Sequence, residues 1–322
     1  MFLGIDVSKH TLDVALLKDG RKARHRVFSN DVAGHTGILQ WLNEQGADHV
    51  HACLEATGTW AEAIALVLHQ AGYIVSLVNP ARTHAFAKSQ LKRTKTDKAD
   101  AILIAQFCQM HQPPAWIPPA PEVQHLQGLI RRLEALEEMR KMEENRLDSG
   151  GLCAPVQDSI QEHVAYLEDQ IRKTQNQIKN HIDQNPSLKQ QADLLQSIPG
   201  IGAATAAVLL AELGDMTQFH NARQVAAFVG LVPRIHQSGT SVRGCAKLSK
   251  VGSSRLRKAL YFPAITALRF NPLIKAQGLR LSTSGKNKML IVGAAMRKLL
   301  HLAYGVVKSQ QPFDADFCTK SA

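Results

Sequence analysis

Five prolines crowd residues 113 to 121 (Pro113, Pro114, Pro118, Pro119 and Pro121), and no other feature constrains the fold as firmly. A proline ring fixes φ, removes an amide donor and pushes the preceding residue out of the helical region, so no helix or central strand can run through such a segment. Whatever lies upstream must close its own core, and whatever lies downstream must begin another. The expected units are 1–118, 119–188 and 189–322.

Upstream, strand-like runs at 2–7, 12–17 and 23–28 are joined by turns, the second of them at Lys18-Asp19-Gly20. Asn30-Asp31 can cap a helix through Leu42, followed by a buried strand over 49–54, a helix over 60–71 and a strand over 73–78 that ends at Asn79-Pro80. Helices over 80–89 and 97–109 complete the unit. A three-strand meander followed by alternating helices and strands predicts a mixed α/β sheet in the strand order of a ribonuclease-H-like fold.

Downstream, Leu126, Leu129, Ile130, Leu133 and Leu136 precede Gly150-Gly151, and Ile160, Val164, Leu167, Ile171 and Ile178 follow it at near-heptad spacing. The pattern predicts a helical hairpin or coiled coil used for dimerisation or spacing, and an ordinary helix pair packed on a neighbouring domain fits it equally well. After Asn185-Pro186 the expectation is a mainly helical unit, making the whole chain α/β plus all-α.

The net charge of +11 is unevenly spread. Between Asp215 and Asp314 there is no acidic residue and there are 16 Lys and Arg, leaving the rest of the chain at −5, the difference between +11 and +16. One-signed charge of that density repels itself unless a polyanion neutralises it. The apolar stretches 61–78 and 289–307 are broken by Glu62, His69 and Gln70 and by Arg297, Lys298 and His301, so no membrane crossing is expected. Five scattered cysteines without a C-x-x-C pair, and a first strand with no leader-like run before it, fit the cytoplasm.

Four acids stand out. Asp6 and Glu55 end predicted strands, and Asp97 and Asp100 are spaced to share one face of a helix. Carboxylates aimed at one place repel unless cations neutralise them, and magnesium prefers such oxygen donors. Two ions about 3.5–4 Å apart would suit phosphoryl transfer. Taken singly, Asp97 reads equally as a helix cap and Glu55 as a turn residue. Lys92, Arg93, Lys95 and Lys98 make a basic rim suited to a phosphodiester backbone.

Ile198-Pro199-Gly200-Ile201-Gly202 has the form of a helix-hairpin-helix turn, in which Gly200 and Gly202 would let the backbone approach a DNA phosphate; a tight, closely packed helix turn is the competing reading. In the basic third, Arg234, Arg243, Lys247, Arg297 and Lys298 are candidate nucleic-acid contacts. The loop Gln237-Ser238-Gly239-Thr240-Ser241-Val242-Arg243-Gly244 offers hydroxyls beside a guanidinium, which makes Ser238 or Ser241 a candidate nucleophile, a choice the chemistry alone leaves open, with Arg243 to steady the phosphate oxygens. His49, His51 and Cys53 alternate along one strand but read as ordinary strand residues, because no second ligand cluster completes a coordination shell.

These motifs in this order resemble the DEDD transposases of the IS110 insertion-sequence family, relatives of the Piv site-specific DNA invertase. The resemblance rests on Gly4-Ile5-Asp6 with Lys9, Leu54-Glu55-Ala56-Thr57-Gly58, Lys95-Thr96-Asp97-Lys98-Ala99-Asp100 and Ile198-Pro199-Gly200-Ile201-Gly202. It continues in Phe228-Val229-Gly230-Leu231-Val232-Pro233, Ser238-Gly239-Thr240-Ser241-Val242-Arg243-Gly244 and Met296-Arg297-Lys298-Leu299. It implies a RuvC-like catalytic domain, a coiled-coil dimerising segment and a C-terminal transposase domain. It further implies magnesium on the four acids, a serine matching Ser238 that links covalently to DNA, and a dimer-to-tetramer assembly with composite active sites. The family also uses a structured noncoding bridge RNA that pairs with donor and target DNA.

The expected function is therefore excision and insertion of a mobile element. The competing enzyme reading is a RuvC-like structure-specific nuclease using metal-activated water. A non-catalytic nucleic-acid-binding scaffold is the competing reading from another class. An actin-like ATPase is disfavoured by the lack of a second phosphate loop.

Overall fold

The computed structural model describes residues 1–18, 22–56, 58–91, 96–234, 237–238, 242–243 and 247–316, without the side chains of 59, 237, 238, 242, 243 and 247. The chain forms two compact units, Met1–Pro118 and Pro119–Ala322.

The first unit is built on strands β1 (Phe2–Val7), β2 (Thr11–Leu17), β3 (Arg24–Ser29), β4 (His51–Glu55) and β5 (Ile74–Val78), in the order β3-β2-β1-β4-β5. The first three pair antiparallel, while β4 runs parallel to β1 and β5 parallel to β4. This is the ribonuclease-H-like order that the meander and its alternating sequel predict. Four helices join and cover the strands: α1 (Val32–Glu44), α2 (Thr59–Gln70), α3 (Pro80–Ser89) and α4 (Asp97–His111). The Asp31 side chain starts α1 by accepting the Gly34 amide at 2.8 Å. Part of the predicted 18–20 turn, and Thr57, lie outside the described residues.

Both faces of β1 are covered, and its alternation sorts the residues between them. Leu3 and Ile5 join Ile38 and Leu42 of α1 and Ile64 and Leu68 of α2 in one core. On the opposite face, Phe2 packs with Cys53, Ile104, Phe107 and Cys108, the last three from α4. Gly4 is what admits α4 there: a Cβ at Gly4 would overlap the Ala101 carbonyl oxygen and the Ala105 amide nitrogen. Helix and strand backbones therefore meet without an intervening side chain.

The second unit opens with a hairpin of α5 (Pro121–Asp148) and α6 (Ala154–Gln184), broken at Gly150 and Gly151, whose φ values of 72° and 73° favour glycine. Midway along the hairpin, Leu136, Leu167 and Ile171 form their own small cluster. At the foot, Leu126, Ile130, Ile178 and Ile182 merge into the core of the helices that follow. Those are α7 (Pro186–Gln196), α8 (Ala203–Leu213), α9 (Ala222–Val229), α10 (Ser254–Phe270), α11 (Pro272–Thr283) and α12 (Lys288–Ser309). Between α9 and α10 lie two short antiparallel ladders. One pairs β6 (Pro233–Arg234) with β9 (Lys247–Leu248), and the other pairs β7 (Gln237–Ser238) with β8 (Val242–Arg243).

Among the described residues, α12 is the one helix long and apolar enough to cross a membrane, and half of its apolar stretch is buried. Leu299, Leu300 and Ala303 of that helix sit in the core of the second unit. Some of the basic residues of this unit are internal fasteners. Arg255 of α10 bonds Glu134 of α5 at 2.6 Å and Glu212 of α8 at 2.8 Å. Arg257 donates to the carbonyl oxygens of Val229 (2.8 Å) and Gly252 (3.0 Å).

Candidate catalytic carboxylate site

Alternation along β1 places Asp6 on the same face as Gly4, the face that α4 covers. In β4 the same period gives His51, Cys53 and Glu55 a common face, and Glu55 follows directly on the last β1–β4 pairing, Ile5 with Leu54. Asp97 and Asp100 occupy the first turn of α4, whose start is fixed by the Thr96 hydroxyl accepting the Ala99 amide at 3.2 Å. The close approach at Gly4 thus brings the N-terminal end of α4 to the ends of two central strands.

The electrostatic result is read at Asp6. Its carboxyl is pushed up from 3.8 to about 6, first by burial and then by the negative charges of Asp100, Asp97, Glu55 and Asp13. Four carboxylates from two strands and a helix consequently act on a fifth. Their oxygens are spread more widely than a single-ion cage, since the trio of donor atoms found within 4.8 Å among the described residues lies elsewhere. A hard divalent cation fits such a donor set, because its charge would offset the mutual repulsion that adds to burial in raising the Asp6 carboxyl.

Three participants escaped the sequence reading. Asp13 is directly opposite Asp6 in the β1–β2 register and is buried. His25 of β3 meets it, Nε2 to Oδ1, at 2.7 Å. Thr83 of α3, also buried, donates its hydroxyl to Glu55 Oε1. An acid inside the apolar run Leu12-Asp13-Val14-Ala15-Leu16 was the available signal for the first.

The other candidates distribute as follows. Lys92, Arg93 and Lys95 lie outside the described residues, whereas Lys98 is exposed in the first turn of α4. Gly200 has a φ of 111°, and a Cβ there would stand 2.8 Å from Ala267 Cβ and 2.9 Å from Pro263 O, so close packing on α10 accounts for this glycine. Gly202, by contrast, faces open space at the start of α8. Arg234 is exposed on β6. The backbones of Ser238, Arg243 and Lys247 belong to β7, β8 and β9, with Ser238 paired to Val242. Arg297 and Lys298 are half-buried on α12, and with Arg223 they add to burial in lowering the pKa of His301, which marks an electropositive spot.

A DEDD-type IS110 transposase profile matches residues 3–150, and the profile described as "Transposase IS116/IS110/IS902 family" matches residues 192–278. Ribonuclease-H-like architecture together with these matches defines an enzyme that cuts and rejoins DNA. The pilin gene-inverting protein of Moraxella bovis is 34% identical over 316 residues, covering 97% of each chain, and the protein of the same name from Moraxella lacunata matches to the same extent. The transposase for insertion sequence element IS1328 of Yersinia enterocolitica is 27% identical over 240 residues, covering 65% of this chain and 69% of that one. The chain belongs to the IS110 family of transposases. A solved structure titled "Thermus thermophilus RuvC structure" overlaps 36% of this chain and 99% of its own, with a TM-score of 0.27 and 18% identity.

Proposed function

We propose that this chain excises and inserts a mobile DNA element by strand exchange, with Asp6, Glu55, Asp97 and Asp100 holding magnesium and Ser238 attacking the scissile phosphate. The observation that carries the reading is the raised Asp6 carboxyl, on which the charges of the other three acids act. Magnesium at these carboxylates would supply Lewis-acid stabilisation of the phosphate and lower the pKa of the attacking hydroxyl.

The protein's own groups supply the rest. Ser238 Oγ gives its proton to solvent and bonds to phosphorus as the P–O bond to the DNA oxygen breaks and that oxygen takes up a proton from solvent; attack by the hydroxyl of a second strand, with Ser238 leaving and regaining its proton, reverses the step and rejoins DNA. Arg243 steadies the phosphate oxygens. Lys92, Arg93, Lys95, Arg234, Lys247, Arg297 and Lys298 hold the backbone, and Gly202 offers an open helix start to a phosphate. The acids and Ser238 belong to different compact units. A dimer or tetramer that combines the units of different subunits is the assembly this reading takes from the family resemblance. The same resemblance supports a bridge RNA as guide and the cytoplasm as the place of action.

Recombination between donor and target plasmids tests the reading, with bound RNA sequenced from the purified protein. Ser238→Ala should abolish both recombination and the protein–DNA adduct on a denaturing gel. Asp97→Asn should abolish cleavage while leaving DNA binding largely intact. Full recombination by Ser238→Ala would refute the covalent role, and cleavage without any adduct would turn the assignment to a hydrolytic nuclease.

A further inference from the structure

The imidazole of His51 and the thiols of Cys53 and Cys108 present donor atoms that all lie within 4.8 Å of one another. His51 and Cys53 open β4, while Cys108 is near the C-terminal end of α4. The group therefore occupies the opposite end of the same strand and helix that carry Glu55, Asp97 and Asp100. Sequence reading set His51 and Cys53 aside for want of further ligands, and Cys108, 57 residues after His51, completes the trio. Both cysteines are fully buried, and His51 is half-buried, which leaves a route for an ion.

The surroundings orient the imidazole. His51 Nε2 lies 2.8 Å from Ser76 Oγ, and that buried hydroxyl is 3.0 Å from Pro113 O and 2.8 Å from Pro114 O. With the serine proton directed at a proline carbonyl, its oxygen accepts from the imidazole, so Nε2 carries the hydrogen and Nδ1 keeps its lone pair. Two thiolates and a neutral imidazole hold two negative charges, which one divalent ion cancels, leaving the buried site neutral. Sulfur donors favour zinc over magnesium, which prefers oxygen.

We propose that His51, Cys53 and Cys108 form a zinc site, with water as fourth ligand, that clamps the C-terminal end of α4 to the start of β4. On binding, each thiol releases its proton to solvent, two Zn–S bonds and one Zn–N bond form, and nothing is oxidised or reduced. The Cys108 thiol gives up its 3.4 Å hydrogen bond to the His51 carbonyl oxygen in the process. Clamping α4 fixes the register in which its first turn presents Asp97 and Asp100. The inference does not depend on the proposed serine chemistry.

The test is metal analysis of the full chain, purified under reducing conditions from zinc-supplemented cells, with Co2+ titration of the chelator-stripped protein. Expected are about one zinc per chain and a thiolate-to-cobalt charge-transfer band. Both should persist in an Asp6→Asn/Glu55→Gln variant and in a Cys153→Ser/Cys245→Ser/Cys318→Ser variant, and both should vanish in Cys53→Ser and Cys108→Ser. Ser76→Ala should weaken zinc binding roughly 10–100-fold. The wild-type titration is informative even where a cysteine variant fails to fold. Absence of sulfur-bound Zn2+ or Co2+ in the wild type overturns the proposal. So does zinc that departs with Asp6 and Glu55 but survives Cys108→Ser, or recovery of Cys53 and Cys108 as a disulfide from freshly isolated protein.

Discussion

Gly4 of β1 lies directly beneath Ala101 of α4, so close that a methyl group on Gly4 would overlap the Ala101 carbonyl oxygen. Backbone cannot move aside as a flexible side chain can, so Gly4→Ala must lift α4 from the sheet. We predict a loss of about 2–3 kcal/mol of stability, at the upper end for overpacking, in denaturant unfolding. Cleavage should fall more than stability does, because Asp97 and Asp100 move with the helix. Unchanged cleavage in a folded Gly4→Ala protein would show that the helix position does not matter to the site.

Asp6 provides a pH signature. Its folded-state pKa of about 6 is raised above the ordinary 3.8, so the folded protein binds more protons than the unfolded chain between those values. The associated stability is fully present below about pH 4 and is lost as pH rises through about 6, a contribution of order 1–3 kcal/mol. In metal-free protein, Asp6→Asn should flatten this part of the stability profile. Added Mg2+ should lower the Asp6 midpoint, which carboxyl-resolved NMR would measure. A midpoint indifferent to Mg2+ would count against the metal assignment.

Gly200 and Gly202 should separate under substitution. Gly200→Ala places a methyl against Ala267 and the Pro263 carbonyl at a backbone φ of 111°, and should destabilise by about 2 kcal/mol or more. Gly202→Ala meets nothing within 4 Å and should leave thermal stability nearly unchanged. If Gly202 faces a DNA phosphate as proposed, its alanine variant should instead weaken DNA binding and reduce its salt dependence.

Arg255 ties α10 to two acids on different helices, with the Glu212 side chain 14% exposed. Arg255→Ala should cost about 1–2 kcal/mol, because two partly covered carboxylates lose their shared partner. DNA affinity at fixed salt should change little, in contrast to Arg297→Ala or Lys298→Ala. A loss of DNA affinity equal to theirs would place Arg255 in the binding surface after all.

The strand order was readable because the meander and the buried runs at 2–7 and 49–54 follow simple periodicity, and the transposase family because its motifs are spaced along nearly the whole chain. What the sequence concealed are partnerships between distant residues. Nothing near Asp13 announces that register will set it opposite Asp6 with His25 behind it. Nothing near Cys53 points to Cys108. The ladders pairing 233–234 with 247–248 and 237–238 with 242–243 are too short to imprint a period of two. Net charge also overstates the surface available to a polyanion, since Arg255 and Arg257 are spent on internal bonds.

The α5–α6 hairpin is rooted differently at its two ends. Its foot, through Leu126, Ile130, Ile178 and Ile182, shares side-chain packing with the helices that follow, whereas the middle of its arms has a separate small cluster of Leu136, Leu167 and Ile171. Chain length can therefore drift at Gly150-Gly151, by whole turns added to both arms, without disturbing the rest. Excising the arms outright would strip the remaining helices of part of their interior. Reach is adjustable in this protein, but the mast cannot be unstepped.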